Sequence, residues 1–216
     1  MSPDSIVIRA NGDASLEAGL ETIGSLPVVA VDVEEGPENS PAPAFLNVSL
    51  GTDRMRLDAV FSAANCAALG RLLAGPQVKA FHHAVRAMKA IGGSLGLRVC
   101  NVYDTMLAEQ IIDNSFDRAV TSPTLQHVCE RHLDIKIPRD GPASARMPLI
   151  YRLVGPQMEL LKSGAQQKIA AIESRAAPAY AAMELRGMML DRVLWEDTVR
   201  QVSAGHSAAA VGLSSL

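Results

Sequence analysis

Apolar positions come in short, nearly unbroken or alternating runs in the first half of the chain, and in longer, helically spaced sets in the second. Ile6-Val7-Ile8 reads as a short opening strand, and residues 15–23 as a helix. Val28-Val29-Ala30-Val31-Asp32-Val33 has almost no polar interruption, the pattern of a strand covered on both faces. Phe45-Leu46-Asn47-Val48-Ser49-Leu50 and Met55-Arg56-Leu57-Asp58-Ala59-Val60 read as two further strands, with Gly51-Thr52-Asp53 as the turn between them. Residues 63–73 are helical, closed by Gly75-Pro76. Val78-Lys79-Ala80-Phe81-His82 is another strand, feeding a helix over residues 84–91 that Gly92-Gly93 ends. Val99-Cys100-Asn101-Val102 is a short strand, and Asp104 is placed as the N-cap of a helix over residues 105–113.

Beyond Ser122 the spacing predicts only helix and loop. Pro123 sits at the start of a helix over residues 124–133. Residues 35–43 and 137–148, rich in Pro, Gly and polar groups, read as loops. Two more helices fit residues 155–173 and 178–186. The elements describe one domain over residues 1–200, with a frayed Ala/Ser/Gly-rich tail over residues 201–216.

Composition narrows the function classes. The 216 residues are 48% hydrophobic but only 4% aromatic, so the core must be aliphatic. A formal net charge of −3 argues against a strongly basic nucleic-acid module and leaves room only for a local basic patch. Cys66, Cys100 and Cys129 are scattered and odd in number, which reads as reduced thiols in an intracellular, cytoplasmic or nuclear, compartment. No signal peptide or membrane-spanning apolar run is visible.

Chemistry concentrates at the end of the central strand. Asp32 and Glu34 are two residues apart, so on a strand both carboxylates point to the same side. Held that close, they raise each other's pKa unless a cation sits between them. A hard divalent ion, Mg²⁺ or Mn²⁺, suits such oxygen ligands. Two solvated acids at a strand end are the plain alternative.

This order of elements, with an Asp-x-Glu pair on the first core strand, resembles the DEDD superfamily of 3′-5′ exonucleases, of the ribonuclease D and family A DNA polymerase proofreading types. Val78 to His82 is similar to the family's strand ending in His-Asn. Asn101-Val102-Tyr103-Asp104-Thr105-Met106-Leu107-Ala108 is similar to its Asn-Val-x-Asp-Thr-Met-x-Ala helix start. The stretch from Thr124 to Leu133 resembles its Ser-Leu-x-x-Leu helix. Met183-Glu184-Leu185-Arg186-Gly187-Met188-Met189-Leu190-Asp191 resembles the segment that opens the polymerase domain. The resemblance covers about residues 27–191. It implies an α/β, ribonuclease H-like fold: a mixed central sheet of about five strands, an antiparallel meander plus parallel strands, flanked by helices and followed by a helical C-terminal part.

Active members of that family use four carboxylates to hold two metal ions, one activating water and one stabilising the leaving oxygen. Asp32 and Glu34 match the first two. In the family's Asn-x-x-x-Asp pattern, His83 stands for the Asn and Ala87 for the Asp. In its Tyr-x-x-x-Asp pattern, Leu160 stands for the Tyr and Gly164 for the Asp. Asp104 is assigned a capping role, and Asp113, Asp117 and Glu159 are not placed to substitute. The resemblance therefore implies a degenerate site, with Asp32 and Glu34 holding Mg²⁺ or Mn²⁺ weakly at best.

A decayed groove can still accept a single strand of nucleic acid. His82, His83, Arg86 and Lys89 cluster around the second motif, with His82, Arg86 and Lys89 near helical spacing. Arg139, Arg146 and Arg152 add a basic loop, and Tyr103, Phe116 and Tyr151 are the candidate stacking groups. The reading is an inactive exonuclease-like module that binds nucleic acid or docks a protein. The alternatives are an active metal-dependent exonuclease, a structural domain of a family A polymerase, and a dimeric scaffold of the kind found in RNA-pathway adaptors. For the last, the Met/Ala-rich stretch from Ala176 to Met183 is the candidate apolar interface, or simply core.

Overall fold

The structure is a computed structural model that describes residues 6–9, 13–34, 44–114, 123–138 and 141–214. The expected loop at 35–43, Phe116, Asp117 and Arg139 lie outside the described residues. The chain divides into two units, Met1–Leu185 and Arg186–Leu216. That boundary falls before the one expected at residue 200.

The first unit is built on a six-stranded sheet ordered β1-β4-β3-β2-β5-β6. Its strands are β1 (Ile6–Arg9), β2 (Val28–Val33), β3 (Leu46–Gly51), β4 (Met55–Phe61), β5 (Val78–Phe81) and β6 (Val102–Asp104). The meander β2-β3-β4 is antiparallel, while β5 and β6 continue beyond β2 in parallel. This is the mixed, ribonuclease H-like sheet that the resemblance implied. The short opening strand makes it six rather than five, pairing parallel with β4 at the edge.

Helices cover both faces. They are α1 (Asp13–Gly24), α2 (Ala67–Ala74), α3 (Ala84–Leu95), α4 (Thr105–Asn114), α5 (Leu125–Leu133), α6 (Ala143–Ser163) and α7 (Gln167–Arg186). Because side chains alternate along a strand, β2 feeds two cores. Val29, Val31 and Val33 join the core with residues of α1, α2 and α3, whereas Ala30 joins the core with α4, α5 and α6. Asp32, two residues after Ala30, therefore faces the α6 layer.

Several expected boundaries move, each for a visible reason. Gly92-Gly93 does not end α3, which runs on to a C-cap at Gly96 with φ 67°. At Gly92 a Cβ would meet Leu185 Cδ1 at 2.7 Å, a contact that a small shift of that exposed side chain relieves. The last strand lies at Val102–Asp104 rather than at residues 99–102. The loop expected at 137–148 is already helix from Ala143, despite Pro148 and Pro156 inside α6. Pro148 has no N–H to give Ser144, four residues earlier, and the Arg56 Nη1–H bonds that Ser144 carbonyl at 2.8 Å instead. The helix expected over 155–173 breaks at Gly164-Ala165, where Ala165 takes φ 57°. Gln166 then turns inward, its amide bonding the Ile111 carbonyl of α4 at 2.8 Å. Pro178 lies inside α7 rather than at a helix start.

The second unit carries α8 (Arg192–Ser214), so residues expected to fray are helical. Ala204, Ala208, Ala209 and Ala210 favour that state. No described helix is long and apolar enough to cross a membrane. Of the three free cysteines, Cys66 and Cys129 are buried and Cys100 is exposed.

Candidate nucleic-acid groove

The end of β2 is closed by a cation from this chain itself. α6 packs over β2 and β3, and its first turn carries Arg146 to the acidic strand end. Arg146 Nε–H donates to Asp32 Oδ2 at 2.6 Å, Nη2–H to the Val33 carbonyl at 3.1 Å, and Nη1–H to the Gly141 carbonyl at 2.8 Å. The other oxygen of Asp32 accepts the Val33 N–H at 3.0 Å. Burial raises the Asp32 pKa above its ordinary value; Arg146 and the Val33 N–H oppose that rise without cancelling it. Glu34 is exposed, and its Oε2 accepts from the Asn47 amide at 2.7 Å.

The other expected ligand positions do not converge on this point. Ala87 is buried in the core that contains Val31 and Val33, on the layer of the sheet opposite α6. Gly164 is the C-cap of α6, eighteen residues after Arg146 in sequence, or about 27 Å of helix at 1.5 Å per residue. Leu160 is exposed near the same end. Neither can meet Asp32. The residue that α6 presents there is Arg146, and four residues before it stands Pro142. The alignment anchored on Gly155-Pro156-Gln157 is thus corrected by the packing of the helix.

A divalent ion needs several hard oxygen ligands facing one point. Here Asp32 is occupied by a guanidinium and Glu34 by an amide. Among the described residues no three His, Cys, Asp or Glu side chains are grouped to hold a metal. The residues present do not fit a two-metal site.

The expected basic cluster is also rearranged. His82 precedes α3 and is not in phase with Arg86 and Lys89 on that helix. Its Nδ1 lies 2.9 Å from the Thr105 hydroxyl. Burial lowers its pKa to about 4, helped by the charges of His83 and Arg146 and resisted by the Pro123 carbonyl and Glu109. His83 is exposed and left-handed, with φ 68° and ψ 59°, a conformation that His tolerates better than most residues. Arg86 is exposed, while Lys89 is tied to Glu184 at 2.8 Å. Arg146 and Arg152 belong to helix α6 rather than to a loop. Tyr103 is buried, its hydroxyl donating to Gln157 Oε1 at 3.4 Å, so it offers no face for stacking; Tyr151 is half-buried.

Asp104 does more than cap its own helix. Its carboxylate accepts the Met106 N–H at 2.9 Å, but also the His83 N–H at 3.0 Å and the Ala84 N–H at 2.7 Å. The N-terminus of α3, otherwise an anion site, is thereby filled from within.

Sequence reasoning missed the buried cluster around Glu109. One Glu109 oxygen accepts from Arg131 at 2.7 Å; the other faces His132 Nε2 at 2.6 Å and accepts from Gln157 at 2.9 Å. Arg131 also pairs with Asp113, and Gln157 bonds the Thr105 carbonyl at 2.9 Å. The signal was in the spacing. Thr105, Ala108, Glu109 and Ile112 share one helical face, as do Leu125, Val128, Cys129 and His132.

Compared by sequence, the chain matches no protein-family model and no curated protein. Compared by structure, it is similar to Brucella melitensis NrnC at 17% identity and a TM-score of 0.66, covering 84% of this chain and 92% of that one. It is also similar to the catalytic core of RRP6 from Trypanosoma brucei, at 18% identity and a TM-score of 0.69, covering 82% of this chain and 53% of that one. Escherichia coli RNase D, an exoribonuclease involved in structured RNA processing, matches at 13% identity and a TM-score of 0.63, covering 83% of this chain and 51% of its own. The chain spans about half the length of the RRP6 core and of RNase D. At these identities the likeness establishes the fold: a ribonuclease H-like domain of the kind found in DEDD 3′-5′ exonucleases.

Proposed function

We propose that this chain is an exonuclease-like domain that has lost hydrolysis and serves as a metal-independent binding module for single-stranded nucleic acid. The Asp32–Arg146 pair carries the reading. A two-metal hydrolase needs carboxylates free to coordinate, and here the buried one is taken by a guanidinium. Structures of the same fold favour nucleic acid as the ligand class: NrnC is known bound to pGG and with bound Mg²⁺, and Trypanosoma brucei RNase D in complex with RNA U12. On this chain His83, Arg86 and Arg152 are exposed cations or potential cations suited to a phosphate backbone.

The test is incubation of 5′-labelled single-stranded DNA and RNA with the protein, in EDTA and in Mg²⁺ or Mn²⁺. Retention in EDTA without shortening is the expected result. A ladder of 3′ shortening that needs metal and disappears in Asp32→Ala would establish the active-exonuclease alternative instead.

A second reading, protein docking, draws on α7. Its Ala177 and Ala181 are buried, while Ile169, Ile172, Tyr180 and Met183 are more than half exposed on another face. That pattern favours an interface over core for part of the stretch from Ala176 to Met183. A monomeric mass at every concentration, with no partner lost in Ile172→Lys, would remove it.

A further inference from the structure

We infer that the Arg146 guanidinium is a resident cation, filling the oxygen-lined seat at the end of β2 that a divalent ion would otherwise fill. The inference rests on the non-catalytic reading and goes beyond it by naming what took the metal's place. Three described acceptors of Arg146 are oxygens: one carboxylate, Asp32 Oδ2, and the Val33 and Gly141 carbonyls. Carboxylate and backbone carbonyl oxygens are the ligands that hard cations choose. Glu34 follows Asp32 on the same side of the strand and adds a second negative charge beside the seat.

Arg146 is also delivered from a fixed position. It lies in the first turn of α6, and that turn is pinned to β4 by the Arg56 bond to the Ser144 carbonyl which Pro148 leaves unpaired. A guanidinium on a helix held this way arrives pre-organised, with its fork matched to several acceptors. It also prevents a buried Asp32 from standing without a counter-charge. The protein thus carries its own cation where metal-dependent relatives of the fold must recruit one. Wild-type stability should be indifferent to divalent metal, and removing the guanidinium should uncover a cation site.

Thermal melting of the wild-type protein, Arg146→Ala and Arg146→Met tests this, each in EDTA, in millimolar Mn²⁺ and in millimolar guanidinium chloride. Tb³⁺ luminescence reports metal binding directly. The wild type is expected to melt at one temperature in all three and to give no bound Tb³⁺ signal. Arg146→Ala is expected to melt several degrees lower, about 3–8 °C, to recover part of that loss in Mn²⁺ or guanidinium, and to bind Tb³⁺. Stabilisation of the wild type by Mn²⁺ that vanishes in Asp32→Asn would overturn the inference, because the seat would then be open. So would an Arg146→Met protein as stable as wild type in EDTA, because the side chain would then act by packing alone. If Arg146→Ala does not fold, Arg146→Lys decides: indifference to Mn²⁺ supports a resident cation, and uptake of Tb³⁺ overturns it. No nucleic acid is present in these measurements, so their failure is separate from failure of the proposed function, which shows in cleavage and strand retention.

Discussion

Asp32 and Glu109 are both acids shut away from water in the same unit, and they are held in different ways. Asp32 ends a strand and meets one guanidinium and one backbone N–H. Glu109 sits within α4 and is faced by Arg131, His132 and Gln157. Burial is the largest influence on each and pushes both pKa values up. At Asp32 it prevails, and the net shift is upward. At Glu109 the hydrogen bonds from His132 and Gln157 and the charges of His132 and Arg131 together overcome it, and the net shift is downward. The difference goes with the charged partners: His132 and Arg131 at Glu109 against Arg146 at Asp32. A carboxylate facing several charged donors is a structural joint. One that leans on a single cation retains the character of a binding site.

Removing each anchor should separate the two most clearly. Glu109→Ala removes the acceptor shared by Arg131, His132 and Gln157, leaving Arg131 with Asp113 and Gln157 with the Thr105 carbonyl, at a cost of about 3–4 kcal/mol. Arg146→Met leaves Asp32 with the Val33 N–H and with freedom to take a proton, and costs about 1–2 kcal/mol because Arg146 is partly solvated. Urea unfolding of both variants checks the order. Equal losses would mean that the two carboxylates are held alike.

The pH dependence of stability sharpens it. His82 in the folded protein titrates at about 4, below its ordinary 6.5, so the unfolded chain binds that proton first. Its contribution is therefore complete above pH 6.5 and is lost as pH falls towards 4, by up to about 3 kcal/mol. Glu109, also lowered, adds loss in the same direction below its ordinary 4.5. Asp32 and Asp104 are raised above 3.8, so they act the opposite way: their contribution is present at low pH and is lost as pH rises through their folded values. Chemical unfolding between pH 4 and 7 should show stability falling with acid, and His82→Gln should flatten the slope. A slope unchanged in His82→Gln would show that His82 is protonated alike in both states.

The smallest expected effect is at Asp104, a third buried acid, whose described hydrogen bonds come from the backbone N–H groups of His83, Ala84 and Met106. Burial leads its upward shift, against the Ala84, Met106 and His83 N–H groups. Asp104→Asn keeps one acceptor oxygen but turns an amide N–H₂ against a backbone donor, at about 1 kcal/mol. Thermal melting would resolve this. A loss as large as that of Glu109→Ala would mean that cations are not what distinguishes the strongest joint.

The sheet was legible in the chain because strands and their alternation are local. The uninterrupted run from Val28 to Val33 already requires cover on both faces, and the alternation after Phe45 already requires a meander. The Asp32–Glu34 pair was equally legible, since two residues on a strand fix a common side. Helix boundaries were less so. Pro148 reads as a breaker until Arg56, far away in sequence, bonds the carbonyl that the proline leaves free. Gly92 reads as a stop until α3 is seen to run on to the left-handed Gly96.

What the sequence determined by itself was the order of elements and the placing of two acids at the end of the central strand, both consequences of local periodicity. What only the tertiary structure decided was which residue faces those acids. A spacing pattern can be laid over α6 at several registers, and sequence alone favoured the one that ends at Gly164. Packing of the first turn of α6 against β2 selects Arg146, because a side chain's neighbours across the core are set by how helix and sheet dock and not by distance along the chain.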